Sequence, residues 1–370
     1  MKNLPLPGVA AALLLVDSLA PARAQEALDY SLRLEPVWTG IADALGEAGS
    51  VESAEFSRDG MRVVTGTKYD NSVVMWRTSD GTELWRHYVG AEVERAGFSA
   101  DGRYVAACDE NFLVTVFDAD SGDTVRTLPH ASGLDGLTWS HEGALLAVGE
   151  ELDKQDATVG GRILIYDAEA DFQQVGEVAF GATVNELFFS PDDERLLAVG
   201  HGAVRLYDAD DLSVVQEFAP EYRVIFTSGA LSPDGRHVIA CGQSDRDRGT
   251  VYLWDAATGE LLRRFNHTGK KIESITFHPG GDYVVYAGHD PYVHVYRLSD
   301  ILEYNNDRIR ETHRVWAGDH AEYVSFNADG SFLASAHQNG LVKVWAWMGE
   351  DPALNERRHR ELSAGQADKQ

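Results

Sequence analysis

One unit recurs along this chain, and its recurrence restricts the possible folds more than any other feature. Its clearest copy opens at Leu231 and reads LSPDGRHVIACGQSDRDRGTVYLWDAATG. Ser232-Pro233-Asp234-Gly235 is turn chemistry, because Pro presets φ and Gly accepts a positive φ. The apolar run 238–241 is too short for a helix, and 251–255 is rich in β-branched and aromatic residues. Strand, tight turn, strand, loop and strand make an antiparallel meander.

Related pentapeptides begin at Phe56, Phe98, Trp139, Phe189, Leu231, Phe277 and Phe326, at steps of 41 to 50 residues. The closing aromatics keep pace at Trp76, Phe117, Tyr166, Tyr207, Trp254, Tyr296 and Trp345. Seven meanders at this period predict an all-β fold, a closed ring of seven four-stranded antiparallel sheets. These residues resemble the WD-repeat β-propeller family over 51–347, as a divergent, exported member of bacterial type. The Trp-Asp dipeptide itself stands at Trp254-Asp255, and becomes Phe117-Asp118, Tyr166-Asp167 and Tyr207-Asp208 elsewhere.

Fourth, outer strands are expected at 83–88, 124–128, 172–178, 214–218, 261–265 and 312–316. None is left for the seventh sheet after Trp347. The segment 28–38 has strand-like spacing at Leu32, Leu34, Val37 and Trp38, and is expected to complete that sheet, removing a free edge. Longer loops fall at 150–161, 243–249 and 298–311, the last with a helical turn capped by Ser299.

Residues 1–24 read as an export signal. Lys2 gives a positive start, 6–16 is mostly apolar, and Ala22-Arg23-Ala24 fits a small-residue cleavage site. The apolar run is well short of the ~20 residues of a membrane span. The expected organisation is a signal peptide at 1–24, the propeller at 25–347 and a charged, disordered tail at 348–370, in a periplasmic or secreted protein.

The formal charge is −27, and losing a leader that holds Lys2 and Arg23 against Asp17 makes it −28. Such a polyanion repels nucleic acid and anionic lipid, and favours a protein or peptide with a basic surface as partner. Cys108 and Cys241 stand three repeats apart, beyond the ~7 Å between Cα atoms that a disulfide allows, so two buried free thiols are expected.

Metalloprotease, nucleophile-elbow, phosphate-loop and CxxC patterns are all missing from the sequence, and no catalytic residue, cofactor or metal is expected. The run 245–249, DRDRG, lacks the later acidic ligands of a calcium loop and reads as a solvated turn. The run 78–85, TSDGTELW, resembles part of the tryptophan-docking motif of quinoprotein propellers. It occurs once, and Asp-x-x-x-Gly is also the ordinary turn before a fourth strand, as at 118–122 and 255–259. A non-catalytic interaction scaffold is therefore expected, with an exported metal-assisted hydrolase or lactonase, or a quinoprotein oxidoreductase, as the rival class.

Position carries the functional signal. Four residues before each repeat marker lie Glu52, Glu94, Asp135, Asn185, Thr227, Glu273 and Glu322. Five of these seven are acidic, whereas 59 acids in 370 residues would place about one there. The ends of the second strands, Thr67, Asp109, Glu150, His201, Gln243, His289 and His337, share the same face. Together they predict an acidic crescent around the channel mouth that binds a partner, with imidazoles beside it on repeats six and seven. An ion held by His289, His337 and nearby carboxylates is one alternative, and acids bonding their own backbone amides another. The family resemblance further implies a structural tetrad of His, Ser or Thr, Asp and Trp. Its counterparts here are His320, Ser335 and Trp345 with Asn339 in place of Asp, and in repeat six His267 and Asp290 with Tyr296 in place of Trp.

Overall fold

The computed structural model describes residues 32–349 except 143, 154, 157, 245–247, 267–269 and 305–308. The expected leader, nearly all of the charged tail, His267 and most of the DRDRG run lie outside the described residues.

Seven four-stranded antiparallel sheets form the blades. Blades one to six span 51–88, 93–129, 134–179, 184–217, 224–266 and 272–316; blade seven joins 321–348 to 33–41. Consecutive first strands pack side by side around a central channel, and the seventh returns to the first. The core lies between blades, as where Val64 and Met75 of blade one meet Val93, Phe98 and Phe117 of blade two. Burying each such side chain contributes about 1.5–3 kcal/mol.

The turns follow from their sequence. Ser57 Oγ donates to Asp59 at 2.5 Å and accepts the Arg62 N–H at 3.0 Å, closing the hairpin. Ser99, Ser190 and Ser232 repeat the arrangement. The final Gly holds φ near +70° in blades one, two and five, a conformation that costs Gly little; in blade four Asp193 adopts it at 57°.

The ring closes as expected. Arg33–Ile41 pairs antiparallel with Leu341–Met348, from Arg33 opposite Met348 to Ile41 opposite Leu341. The strand runs three residues past the expected end at Trp38. Pro36 is tolerated because this is an outer strand, and Leu34 is buried among Trp345, Trp347 and Val324.

Two details differ from expectation. Tryptophan docking is made twice: Trp38 covers Gly81 of blade one, where a Cβ would lie 2.7 Å from the ring, and donates to Thr78 O at 2.6 Å. Trp85 covers Gly122 of blade two in the same way and donates to Ala119 O at 3.0 Å. The short helix Leu298–Glu303 begins two residues earlier than expected, with Arg297 at its N-cap, so Ser299 lies within its first turn and makes no capping hydrogen bond. Cys108 and Cys241 are buried, unpaired thiols.

Candidate functional site at the channel mouth

Each first strand slips register once against its second strand. The slips fall between Val51 and Ser53, Val93 and Arg95, Leu134 and Gly136, and Val184 and Glu186. The others separate Phe226 from Ser228, Ile272 from Ser274, and Ala321 from Tyr323. The residues left unpaired are Glu52, Glu94, Asp135, Asn185, Thr227, Glu273 and Glu322. A bulge re-aims its side chain, and these seven line one cavity of about 250 Å³ with Arg95, His201, Ile225 and Lys271.

Crowding perturbs the acids. Burial drives Glu94 far above the usual carboxylate range, and Asp135, Glu52 and Glu92 add to it. Burial, then Glu151 and Glu110, push Asp135 up to about 7. Burial, then Glu273 and Glu52, push Glu322 up to about 7, and its Oε1 is buried without a hydrogen-bond partner among the described residues. Burial also raises Glu52, although Ser50 Oγ donates to it at 2.7 Å. Glu273 differs: burial opposes its charge, but His289 at 2.7 Å and Lys271 at 2.8 Å hold its carboxyl below the usual value. The same bond to Glu273 raises His289.

Three further acids belong here that the sequence reading passed over: Glu92, Glu110 and Glu151. Glu92 pairs with Lys68. The ligand atoms of Glu52, Glu92 and Glu94 lie within 4.8 Å of one another, as do those of Glu94, Glu110 and Asp135, and those of Glu273, His289 and Glu322. Such oxygen-rich groups are the ones able to hold a divalent cation. The missed acids were legible two positions before, or one after, the rows that were read.

The second-strand ends divide. His201 lines the mouth cavity, and His289 joins it through Glu273. Asp109 instead accepts the N–H groups of Asn111 and Leu113 at 2.9 and 3.2 Å, as a turn stabiliser. Glu150 is fully buried, and burial opposes its charge; His130 and Arg162, at 3.3 and 2.8 Å, nevertheless hold it down to about 2. His337 is fully buried, with Nε2 2.8 Å from Ser335 Oγ.

The tetrad assignment in blade seven is thereby corrected. His337, Ser335 and Trp345 form the buried chain, with Trp345 Nε1 donating to Ser335 Oγ at 2.8 Å. Ser335 and His337 are two apart on one strand and so share its face. His320 stands outside that chain, bonds Gln338 at 3.0 Å and stacks on His289 with centroids 5.2 Å apart. Asn339 is no member either, since its buried Oδ1 has no hydrogen-bond partner among the described residues. In blade six Asp290 binds His294 at 3.0 Å and the Tyr292 N–H at 3.0 Å.

One residue deeper, a second ring begins. Ser53, Ser228 and Ser274 accept N–H groups from the neighbouring blade at 3.1 to 3.3 Å. Arg95 reaches across the channel to Glu186 at 3.0 Å and lies over the Tyr323 ring, 4.2 Å from its centroid. Nothing local in the sequence links these residues.

Seven four-stranded sheets, a first strand that completes the last, and a Trp–Ser–His chain inside that blade define a WD-repeat β-propeller. Residues 259–297 and 313–346 match the family described as WD domain, G-beta repeat. Each match starts with the outer strand of one blade and ends with the third strand of the next, the same offset that closes the ring. The chain belongs to the family described as outer membrane protein assembly factor BamB, whose model matches residues 35–260.

Among individual proteins, it is similar to the serine-threonine kinase receptor-associated protein of Bos taurus, 22% identical over 244 residues. That alignment covers 65% of this chain and 65% of the relative, so the chain spans just under two thirds of that protein. The eukaryotic translation initiation factor 3 subunit I of Emericella nidulans is 25% identical over 297 residues, covering 70% of this chain and 84% of the relative. Telomerase protein component 1 of Rattus norvegicus is 26% identical over 228 residues, covering 61% of this chain and 8% of the relative.

Proposed function

We propose that this propeller is a non-catalytic protein-interaction platform whose acidic channel mouth receives a basic segment of a partner protein. One observation carries the reading: seven bulges aim their residues into a single cavity, and five of the seven are carboxylates. Carboxylates crowded this closely are costly to ionise, and a cationic partner relieves that cost while gaining from the field. The names of the relatives, a receptor-associated protein and an initiation factor subunit, support an associating role. The family description, outer membrane protein assembly factor, supports both that role and export through a leader at 1–24. The charge of −27 argues against nucleic acid and anionic membrane as the partner.

The test is a crosslinking pull-down from the envelope fraction with the wild type and with a Glu52→Gln, Glu94→Gln, Glu322→Gln triple variant. Loss of the captured proteins from the variant is the expected result; full retention rejects the reading. Recovery of the protein with Gln25 as its first residue is the result expected for a cleaved leader. A second reading, an exported metal-assisted hydrolase or lactonase, draws on the Glu273, His289 and Glu322 group. A stoichiometric divalent ion in the purified protein would favour it. Tryptophan docking at Trp38 and Trp85 supports kinship with quinoprotein propellers, for which a bound chromophore is the test.

A further inference from the structure

The turn face, opposite the acidic mouth, opens into a separate cavity of about 510 Å³. Its wall carries the repeat-marker aromatics Phe56, Phe98, Trp139, Phe277 and Phe326, contributed by five different blades. Its inner end is polar. There Glu55 accepts the Tyr323 hydroxyl through Oε1 at 3.1 Å. Glu55 Oε2 has no hydrogen-bond partner among the described residues, and Gly97 leaves it room: a Cβ there would lie 2.9 Å away.

Charge at this inner end does not balance. Arg95 is committed to Glu186 at 3.0 Å and to the face of Tyr323. Glu186 takes a further bond from Ser228 Oγ at 3.2 Å. Two carboxylates, Glu186 buried and Glu55 partly buried, thus share one guanidinium. Burial, and Glu186 beside it, push Glu55 up to about 7. The other charged groups of the lining, Arg58 and His141, belong to the turns at the opening, and His141 is engaged with Asp193 at 3.1 Å.

Cavities of roughly 300–1,000 Å³, with apolar and aromatic walls and a few convergent polar groups, are the usual form of a small-molecule site. We propose that this funnel binds a small organic cation, an ammonium on an apolar or aromatic body, with the ammonium against Glu55 and the body within the ring of marker aromatics. The ammonium supplies the missing counter-charge in a low-dielectric pocket, where a charge-assisted hydrogen bond is strong. Aromatic faces add their own attraction for a cation. Anions are repelled by Glu55 and Glu186, and neutral ligands gain only the apolar contact. This site lies on the other face from the proposed partner surface and stands or falls independently of it.

The probe pair is 2-phenylethylamine and 2-phenylethanol, titrated calorimetrically into the intact protein at pH 8. The amine is expected to bind about tenfold or more tightly than the alcohol, the worth of one hydrogen bond to a charged group. Glu55→Gln keeps an oxygen for Tyr323 and is expected to erase that preference. Thr138→Trp, which fills the cavity from its wall, is expected to abolish binding of both. Equal binding of the two probes to the wild type, no binding of either, or an amine affinity unchanged in Glu55→Gln would overturn the proposal. Should Glu55→Gln fail to fold, the wild-type preference and Thr138→Trp decide it.

Discussion

Ser335 and His337 meet inside blade seven with Oγ and Nε2 2.8 Å apart, and Trp345 Nε1 donates to the same serine oxygen. That oxygen receives the indole proton and gives its own to His337, a chain that requires a neutral imidazole. Burial, with Lys343 nearby, pushes His337 down to about 3. The folded state therefore resists a proton that the unfolded chain accepts near pH 6.5. Stability is intact above about pH 6.5 and is lost as the pH falls from there towards 3. Thermal melts across that window are expected to show a steady loss in the wild type. His337→Gln, weaker by about 1–3 kcal/mol at neutral pH, is expected to show a shallower one.

Closure of the ring predicts a large effect from a small change far from any site. Leu34 is buried beside Trp345 and Trp347 on the strand that completes blade seven. Leu34→Ala is expected to cost about 2–5 kcal/mol in chemical denaturation. Deleting residues 33–41 is expected to lower the melting temperature sharply and to promote association through the exposed edge of 341–348. An unchanged melt after the deletion would contradict the closure.

The mouth acids predict a gain of stability on removal. Asp135 and Glu322 have folded-state values raised to about 7. Their contribution to stability is full below the unfolded carboxylate range near 4 and is lost as the pH rises through 7. At pH 8, Asp135→Asn and Glu322→Gln are therefore expected to be more stable than the wild type, by about 1 kcal/mol or more each. At pH 5 the gain is expected to shrink. A variant equally or less stable at pH 8 would show that these carboxylates are not strained in the fold.

The contrast between what the sequence revealed and what it hid follows from the range of each interaction. Meander, turn and repeat are local, so the seven blades and the seven residues of the mouth row could be counted directly. A fixed offset from each marker sufficed to find Glu52, Glu94 and the rest, because every blade repeats the same geometry. The bulge that turns them into the channel is a register between two strands, and no single segment carries it. Arg95 and Glu186 meet from 91 residues apart, and Trp38 docks on a turn 40 residues later. The exchange of roles between His320 and His337 was different in kind. Strand alternation places His337 on the same face as Ser335, so that correction was available from the sequence and was missed by following the family's usual histidine position.

The central claim, that the carboxylates of the mouth select a basic partner, is tested most directly by the salt needed to release a captured partner from immobilised protein. Wild-type protein is expected to hold its partner at low ionic strength and release it as salt screens the field. The Glu52→Gln, Glu94→Gln, Glu322→Gln variant is expected to release it at markedly lower salt or not to capture it at all. Identical release curves for the two proteins would contradict the account.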